Sequence, residues 1–123
     1  MDKKIIVIDD EQDFLESVKR GLTTSGIKKV RLEPDPAKAA SDFEHGEVFD
    51  IALIDVTMPE MGGIRLLEVI KTHSPATECI MISAIDEAKT VNDCLEKGAH
   101  DYLVKPFSKE DLISSINRAL KRK

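Results

Sequence analysis

Short apolar runs alternate with helix-type patterns along the whole sequence, and this alternation restricts the fold more than any other feature. Three runs, residues 5–8, 51–54 and 79–82, are continuously apolar. Such a run is typical of a strand buried on both faces of a parallel sheet. Residues 30–32 and 102–104 are shorter segments, and we predict them as two further strands, the first of them at an edge. The sequence therefore predicts five strands.

A helical spacing of apolar residues follows each predicted strand. Asp35 before Pro36 predicts an N-cap with proline at the first helical position. Ser108 opens a variant of the capping box before the last helix, and Asp86 is predicted to cap the fourth. The predicted apolar residues of that fourth helix are Ala88, Val91 and Leu95.

Five strand–helix units with short connections predict a doubly wound α/β fold. Parallel strands need crossover helices, and right-handed crossovers cover both faces of the sheet. A closed eight-fold barrel needs about 250 residues, so a sheet in 123 residues must be open. No composition shift or linker divides the chain, and we expect one domain over residues 1–123.

Charge and cysteine usage narrow the function classes. The net charge is −5, which argues against direct nucleic-acid binding by this domain because such binding neutralises phosphates. No apolar run approaches the roughly 20 residues of a membrane span, so we expect no membrane association. Cys79 and Cys94 are too far apart for a redox motif. Free buried thiols indicate a reducing compartment, and we expect the cytoplasm.

Polar residues with complementary chemistry follow the predicted strands at one edge of the sheet. Asp9 and Asp10 follow the first strand, Asp55 ends the third, Ser83 ends the fourth and Lys105 follows the fifth. Ligands of open α/β sheets bind at this edge, where the carboxyl ends of the strands meet. A structural alternative stays open for the first pair, because either aspartate could simply cap the following helix.

Three neighbouring carboxylates repel one another, and a divalent cation removes that penalty. Hard oxygen ligands suit Mg²⁺ better than zinc. A carboxylate beside Mg²⁺ and a lysine is a plausible nucleophile toward phosphorus, which would form an aspartyl phosphate. The strand ends therefore indicate phosphoryl chemistry.

Four segments in the same order and spacing resemble the receiver domain of two-component response regulators over the whole chain. They are residues 8–11 (IDDE), 54–59 (IDVTMP) with the glycine pair after them, 82–84 (ISA) and 98–107 (GAHDYLVKPF). The resemblance implies the flavodoxin-like strand order 2-1-3-4-5 with five flanking helices. It also implies that a histidine kinase or a phosphotransfer protein donates a phosphoryl group to this domain.

Site roles come from the same resemblance. Asp55 would be the phosphoacceptor, Asp10 a direct Mg²⁺ ligand and Asp9 a ligand acting mostly through water. The backbone carbonyl of Thr57 would complete the metal ligands, and Ser83 would bond a phosphoryl oxygen.

The resemblance also assigns the switch and the output surface. Lys105 would pair with another phosphoryl oxygen, and its bond to Pro106 is expected to be cis. Tyr102 matches the switch aromatic, which turns inward when Ser83 moves toward the phosphate. The output surface would be residues 86–121, through which an effector domain or a homodimer could be controlled. We expect no enzyme activity beyond the domain's own phosphotransfer and dephosphorylation.

Phosphoryl lifetime is tuned in this family two residues after the acceptor and two after the hydroxyl, here at Thr57 and Ile85. Ile85 cannot orient an attacking water, and Thr57 can do so only modestly. We therefore predict a longer-lived phosphorylated state than in relatives with Asn and Glu at these positions.

Three alternatives remain at this level. A haloacid-dehalogenase-like phosphatase would carry its nucleophile after the first strand in a DxD motif, whereas this chain has DDE. A nucleotide- or flavin-binding module would need a glycine-rich phosphate loop, and none follows a strand. A degenerate receiver that is never phosphorylated is the third alternative, and the intact acid–Ser–Lys set of this chain argues against it. The basic ending, residues 121–123, fits either a stand-alone regulator or a linker to an output domain.

Overall fold

The structure, a computed structural model, describes residues 3–59 and 61–121 and consists of five strand–helix units. In chain order the elements are β1 (Lys4–Ile8), α1 (Gln12–Thr24), β2 (Lys29–Glu33), α2 (Pro36–Glu44), β3 (Ile51–Asp55), α3 (Gly63–His73), β4 (Glu78–Ser83), α4 (Ala88–Glu96), β5 (Asp101–Val104) and α5 (Lys109–Lys121).

The five strands form one parallel sheet in the order β2-β1-β3-β4-β5. The predicted fold class and strand order are confirmed. In this register Asp55 lies opposite Ile82, and Ser83 lies opposite Val104. The order reverses between β1 and β3, so the carboxyl ends of those two neighbouring strands face one crevice.

Two hydrophobic cores lie on opposite faces of the sheet. One contains Leu15 of α1 and Ile116 of α5, and the other contains Phe43 of α2, Leu67 of α3 and Cys94 of α4. Strands β1, β3 and β4 are buried almost throughout, whereas β2 and β5 at the edges are only partly covered. The continuous apolar runs were therefore correctly assigned to the centre of the sheet.

Two of the predicted helix starts are confirmed. The side chain of Asp35 accepts a hydrogen bond from the backbone N–H of Ala37 at 2.9 Å, and Pro36 occupies the first helical position. Ser108 accepts one from the backbone N–H of Asp111 at 3.0 Å.

The fourth helix differs from its prediction. Its N-cap is Glu87, not Asp86, and no side chain caps it. Cys94 is its buried residue, while Leu95 is 42% exposed. A nine-residue helix beside a short edge strand can bury only a narrow strip. Apolar spacing alone did not fix which residues form that strip, and Ala88 is exposed and Val91 half-buried.

Both cysteines are buried free thiols, as predicted. Burial raises the pKa of Cys79 to about 12, which keeps this thiol protonated and unreactive. No helix in the described ranges has the length and apolar character needed to cross a membrane.

Candidate functional site

Three carboxylates meet at the carboxyl ends of β1 and β3. Oxygens of Asp9, Asp10 and Asp55 all lie within 4.8 Å of one another, in the one such acidic cluster among residues 3–59 and 61–121. Asp9 and Asp55 are buried, with 1% and 5% exposure, while Asp10 is exposed. The cluster opens into a cleft of about 480 Å³. Its lining residues are Asp10, Glu11, Asp55, Thr57, Ser83, Ala84, Ile85 and Lys105.

Asp9 is held by two partners and does not cap α1. Its Oδ1 accepts a hydrogen bond from the backbone N–H of Glu11 at 2.9 Å, and its Oδ2 accepts one from Lys105 Nζ at 3.0 Å. The N-cap of α1 is Glu11, which makes no side-chain cap bond. The capping alternative for the first two aspartates is therefore wrong, and both remain available to the cluster.

The surroundings of the Asp55 carboxyl group disfavour its ionised form. Burial raises its pKa to about 6, and the neighbouring charge of Asp9 adds to the rise. Lys105 and the backbone N–H of Thr57, which donates to Asp55 Oδ1 at 3.2 Å, act in the opposite direction. A cation placed among the three carboxylates would relieve this repulsion.

The donor set fits Mg²⁺. It consists of carboxylate oxygens, one of which, on Asp10, is open to water. Mg²⁺ prefers hard oxygen ligands and keeps several waters, so a cluster that opens into a cleft suits it. Thr57, whose carbonyl oxygen is the further ligand predicted from the sequence, also lines this cleft.

Lys105 brings a positive charge to the same cleft. Its Nζ lies 3.0 Å from Asp9 Oδ2, 3.7 Å from Glu11 Oε1 and 4.1 Å from the centroid of the Phe14 ring. Burial lowers the pKa of this ammonium, but the bond to Asp9 and the charge of Asp55 outweigh burial and raise it overall. Lys105 is therefore protonated at neutral pH, and the predicted cis bond to Pro106 is confirmed.

Ser83 and Tyr102 are linked through Ile85. Ser83 Oγ accepts a hydrogen bond from the backbone N–H of Ile85 at 3.0 Å, and the Tyr102 hydroxyl donates to the Ile85 carbonyl at 2.7 Å. The Tyr102 side chain is half-buried. A displacement of the segment after β4 would therefore change the hydrogen bond to the Ser83 hydroxyl and the hydrogen bond from the Tyr102 hydroxyl together.

The structure thus brings together every residue that the sequence placed at the strand ends, and it adds three. Glu11 lines the cleft, Phe14 lies beneath the Lys105 ammonium, and Gly63 packs against the backbone of Asp55. The DDE run could have indicated Glu11. No sequence pattern indicates that Phe14 lies beside the site, because its apolar side chain fits the helical spacing of α1 equally well.

Comparison with known proteins gives the family. The model of the response regulator receiver domain matches residues 5–117. The chain belongs to that family. Receiver domains are the phosphoacceptor domains of two-component signalling, and the acidic cleft agrees with that role.

Three relatives illustrate the match. The chemotaxis protein CheY of Bacillus subtilis is 33% identical over 121 residues, which are 98% of this chain and 99% of that protein. A probable transcriptional regulatory protein, NarL of Mycobacterium tuberculosis, is 31% identical over 113 residues, covering 92% of this chain but 52% of NarL. In the CheX–CheY–BeF3–Mg²⁺ complex of Borrelia burgdorferi, one chain superposes with a TM-score of 0.89 at 28% identity. The match covers 96% of this chain and 89% of that one.

Proposed function

We propose that Asp55 is the phosphoacceptor of this receiver domain and that its donor is a phosphohistidine of a histidine kinase or a phosphotransfer protein. The observation that carries the proposal is a buried carboxylate, at the end of β3, with two further carboxylates and one lysine around it. Histidines and cysteines take no part in this cluster.

In the transfer, an Asp55 carboxylate oxygen attacks phosphorus and forms the new O–P bond. The bond from phosphorus to the donor's imidazole nitrogen breaks, and its electron pair stays on that nitrogen. The cleft admits the donor because it is open to solvent on the side of Asp10. Such a reaction depends mainly on positioning and on neutralising charge, so the surrounding side chains carry most of the catalysis.

Asp9, Asp10, Asp55 and the carbonyl of Thr57 would hold Mg²⁺, with Asp10 in direct contact and Asp9 acting mostly through water. When bound, the metal supplies positive charge that offsets both the three carboxylates and the incoming phosphoryl oxygens. The same charge would stabilise Asp55 in the ionised form that attacks, against the effect of burial.

Ser83 and Lys105 would bind phosphoryl oxygens, Ser83 as an O–H donor and Lys105 as an ammonium. Tyr102 would act as the switch aromatic, because the Ile85 carbonyl to which it donates lies only two residues after Ser83, in the chain segment after β4. A phosphoryl group that draws Ser83 inward would therefore move the position that Tyr102 contacts.

The domain would also remove its own phosphoryl group. Water attacks phosphorus, the bond to Asp55 breaks, and inorganic phosphate leaves. Thr57 and Ile85 both line the cleft where that water would approach. Ile85 offers it no hydrogen bond, which supports the prediction of a long-lived phosphorylated state.

The output surface would be residues 86–121. Two large apolar side chains on this surface, Leu95 and Val104, are 42% and 40% exposed and would be available to a partner. An effector domain or a second copy of the chain is the proposed occupant. Whether residues 1–123 act alone, as a CheY-like protein, or within a longer regulator, as in NarL, decides which of the two applies. Buried free thiols support a reducing cytoplasm.

The direct test uses acetyl phosphate as donor, with Mg²⁺, and intact-mass measurement. We expect one added phosphoryl group on the natural protein and none on Asp55→Asn. Asp86→Asn, the same change at an exposed aspartate, is the matched control and should accept one group. Turnover of a general phosphate ester without a stoichiometric adduct would contradict the proposal.

A further inference from the structure

Lys105 lies on the face of an aromatic ring. Its Nζ is 4.1 Å from the centroid of Phe14, well inside the distance at which a ring attracts a cation. The lysine side chain is only 20% exposed, so water screens this attraction incompletely. Phe14 lies in the first turn of α1 and belongs to no part of the acidic cluster.

A second ring braces Phe14. Phe107 packs edge-on against it, with ring centroids 6.1 Å apart and planes at 86°. This is a favourable geometry for an aromatic pair. Phe107 follows the cis Lys105–Pro106 bond. The lysine and the ring that braces its support therefore come from the same short segment after β5.

We propose that Phe14 is a positioning residue for Lys105, holding the ammonium where it will meet a phosphoryl oxygen on Asp55. The proposal rests on the function proposed above. The lysine ammonium sits on a flexible four-carbon chain, and fixing it in one place costs conformational entropy. Because the Phe14 ring already restricts the ammonium, less of this entropy is lost when the phosphoryl donor binds.

The ring has an advantage over another carboxylate in this position. The electrons of the ring face attract the ammonium, but the ring does not take up an N–H donor as a carboxylate oxygen would. It also adds no negative charge to a cluster that already has three carboxylates. Among the described contacts, only Asp9 accepts a hydrogen bond from Lys105 Nζ. The other N–H donors of the ammonium stay available for phosphoryl oxygens.

The chain contains its own control. Lys4 Nζ lies 4.7 Å from the centroid of the Phe49 ring. Lys4 is the first residue of β1, and Phe49 lies just before β3. That pair is at the opposite edge of the sheet from Asp9 and Asp55. A change in ring electronics at Phe49 should therefore affect stability only.

The test replaces Phe14 with phenylalanines carrying one, two and three ring fluorines, which weaken the negative face of the ring with little change in size. We expect the rate of Asp55 phosphorylation by acetyl phosphate to fall stepwise, to roughly fivefold to tenfold below the natural rate. The affinity for beryllofluoride with Mg²⁺ should fall in parallel. The same series at Phe49 should change neither quantity.

Two further readouts separate positioning from packing. In the natural protein without metal or phosphoryl donor, the ring current of Phe14 should shift the ε-methylene protons of Lys105 upfield. Phe14→Leu should abolish that shift and slow phosphorylation several-fold, whereas Phe14→Tyr should retain both. If Phe14→Leu does not fold, the fluorinated series decides.

An unchanged rate across the Phe14 series, or an equal loss in the Phe49 series, would overturn the inference. A natural protein that never becomes labelled on Asp55 would instead refute the proposed function. The two failures are therefore distinguishable in one set of samples.

Discussion

Gly63 lies directly against the backbone of Asp55. A Cβ atom built on Gly63 would come within 2.1 Å of the Asp55 carbonyl oxygen and 2.7 Å of the Val56 Cα. The Gly63 N–H also donates to the Val56 carbonyl at 2.9 Å. The start of α3 is thus packed onto the end of β3, and the position of the proposed phosphoacceptor depends on the missing side chain.

Gly63→Ala should therefore displace the segment that carries Asp55. We expect a loss of about 1–3 kcal/mol in the free energy of unfolding, as for an overpacked core. The rate of phosphorylation by acetyl phosphate should fall by about tenfold or more, because small misplacements of reacting groups are costly. Denaturant unfolding and labelling kinetics measure the two effects.

Gly62→Ala is the matched control for that prediction. A Cβ there would meet nothing closer than the Val56 carbonyl oxygen at 3.9 Å. Because Gly62 is the N-cap of α3, alanine should cost no more than about 1 kcal/mol of stability, and the labelling rate should not change. Equal effects of the two alanine substitutions would contradict the close approach at Gly63.

Because the pKa of Asp55 is raised, the free energy of unfolding of the metal-free protein should depend on pH. Burial, then repulsion from Asp9, raises this pKa from 3.8 to about 6, so between these pH values the folded state binds more protons than the unfolded state. Stability contributed by the protonated group is therefore lost as pH rises through this window. Asp55→Asn should be more stable than the natural protein by up to about 3 kcal/mol at pH 7, with no difference below about pH 3. Urea unfolding in a chelator at several pH values measures this difference.

Asp101 should show the opposite sign. Burial raises its pKa, but hydrogen bonds from Ser115, the Tyr102 N–H and Arg118 outweigh burial and lower it overall. Its stabilising contribution is therefore present at neutral pH and lost as pH falls through the folded pKa. Asp101→Asn should be less stable than the natural protein at pH 7, and the difference should shrink in acid. Parallel pH profiles for Asp55→Asn and Asp101→Asn would contradict both assignments.

Ile85 should control how long the phosphoryl group survives. A carboxylate at this position could accept a hydrogen bond from the attacking water, so Ile85→Glu should speed dephosphorylation several-fold, up to about tenfold. The backbone bonds of Ile85 to Ser83 and Tyr102 do not depend on its side chain. Ile85→Leu is therefore a fair control and should leave the rate unchanged. Loss of label after removal of the donor gives the rates, and an unchanged or slower rate in Ile85→Glu would make this account wrong.

Tyr102→Phe should separate phosphorylation from its consequence. It removes the 2.7 Å bond to the Ile85 carbonyl, at a cost of about 1 kcal/mol, and leaves the acidic cluster untouched. We expect labelling of Asp55 to continue at nearly the natural rate. Beryllofluoride should then cause smaller amide shifts across residues 86–121 in an NMR titration. Full-sized shifts in the variant would exclude a switch role for this hydroxyl.

The sequence predicted those parts of the fold in which nearly every residue of a strand is buried. Continuous apolar runs indicated the central strands because both of their faces are covered. The convergence of Asp9, Asp55 and Ser83 followed, since the carboxyl ends of parallel strands share one edge. Their roles as ligands and acceptor came from the family resemblance and remain proposals.

Features that depend on how one element is rotated against another could not be predicted. Cys94, not Leu95, is buried in α4 because the sheet edge covers only a narrow strip of that helix. Phe14 meets Lys105 only because α1 and the segment after β5 are brought together across the fold. The importance of Gly63 comes from the close approach of its backbone to that of Asp55 and Val56, and the spacing of apolar residues does not indicate such an approach.

The most direct test of the central claim is the location of the phosphoryl group. The protein is labelled with acetyl phosphate and Mg²⁺, reduced with borohydride to convert an aspartyl phosphate into homoserine, digested, and sequenced by mass spectrometry. We predict homoserine at position 55 alone, and none when Mg²⁺ is replaced by a chelator. Homoserine at position 9 or 10, as expected for a nucleophile after the first strand, would contradict the account.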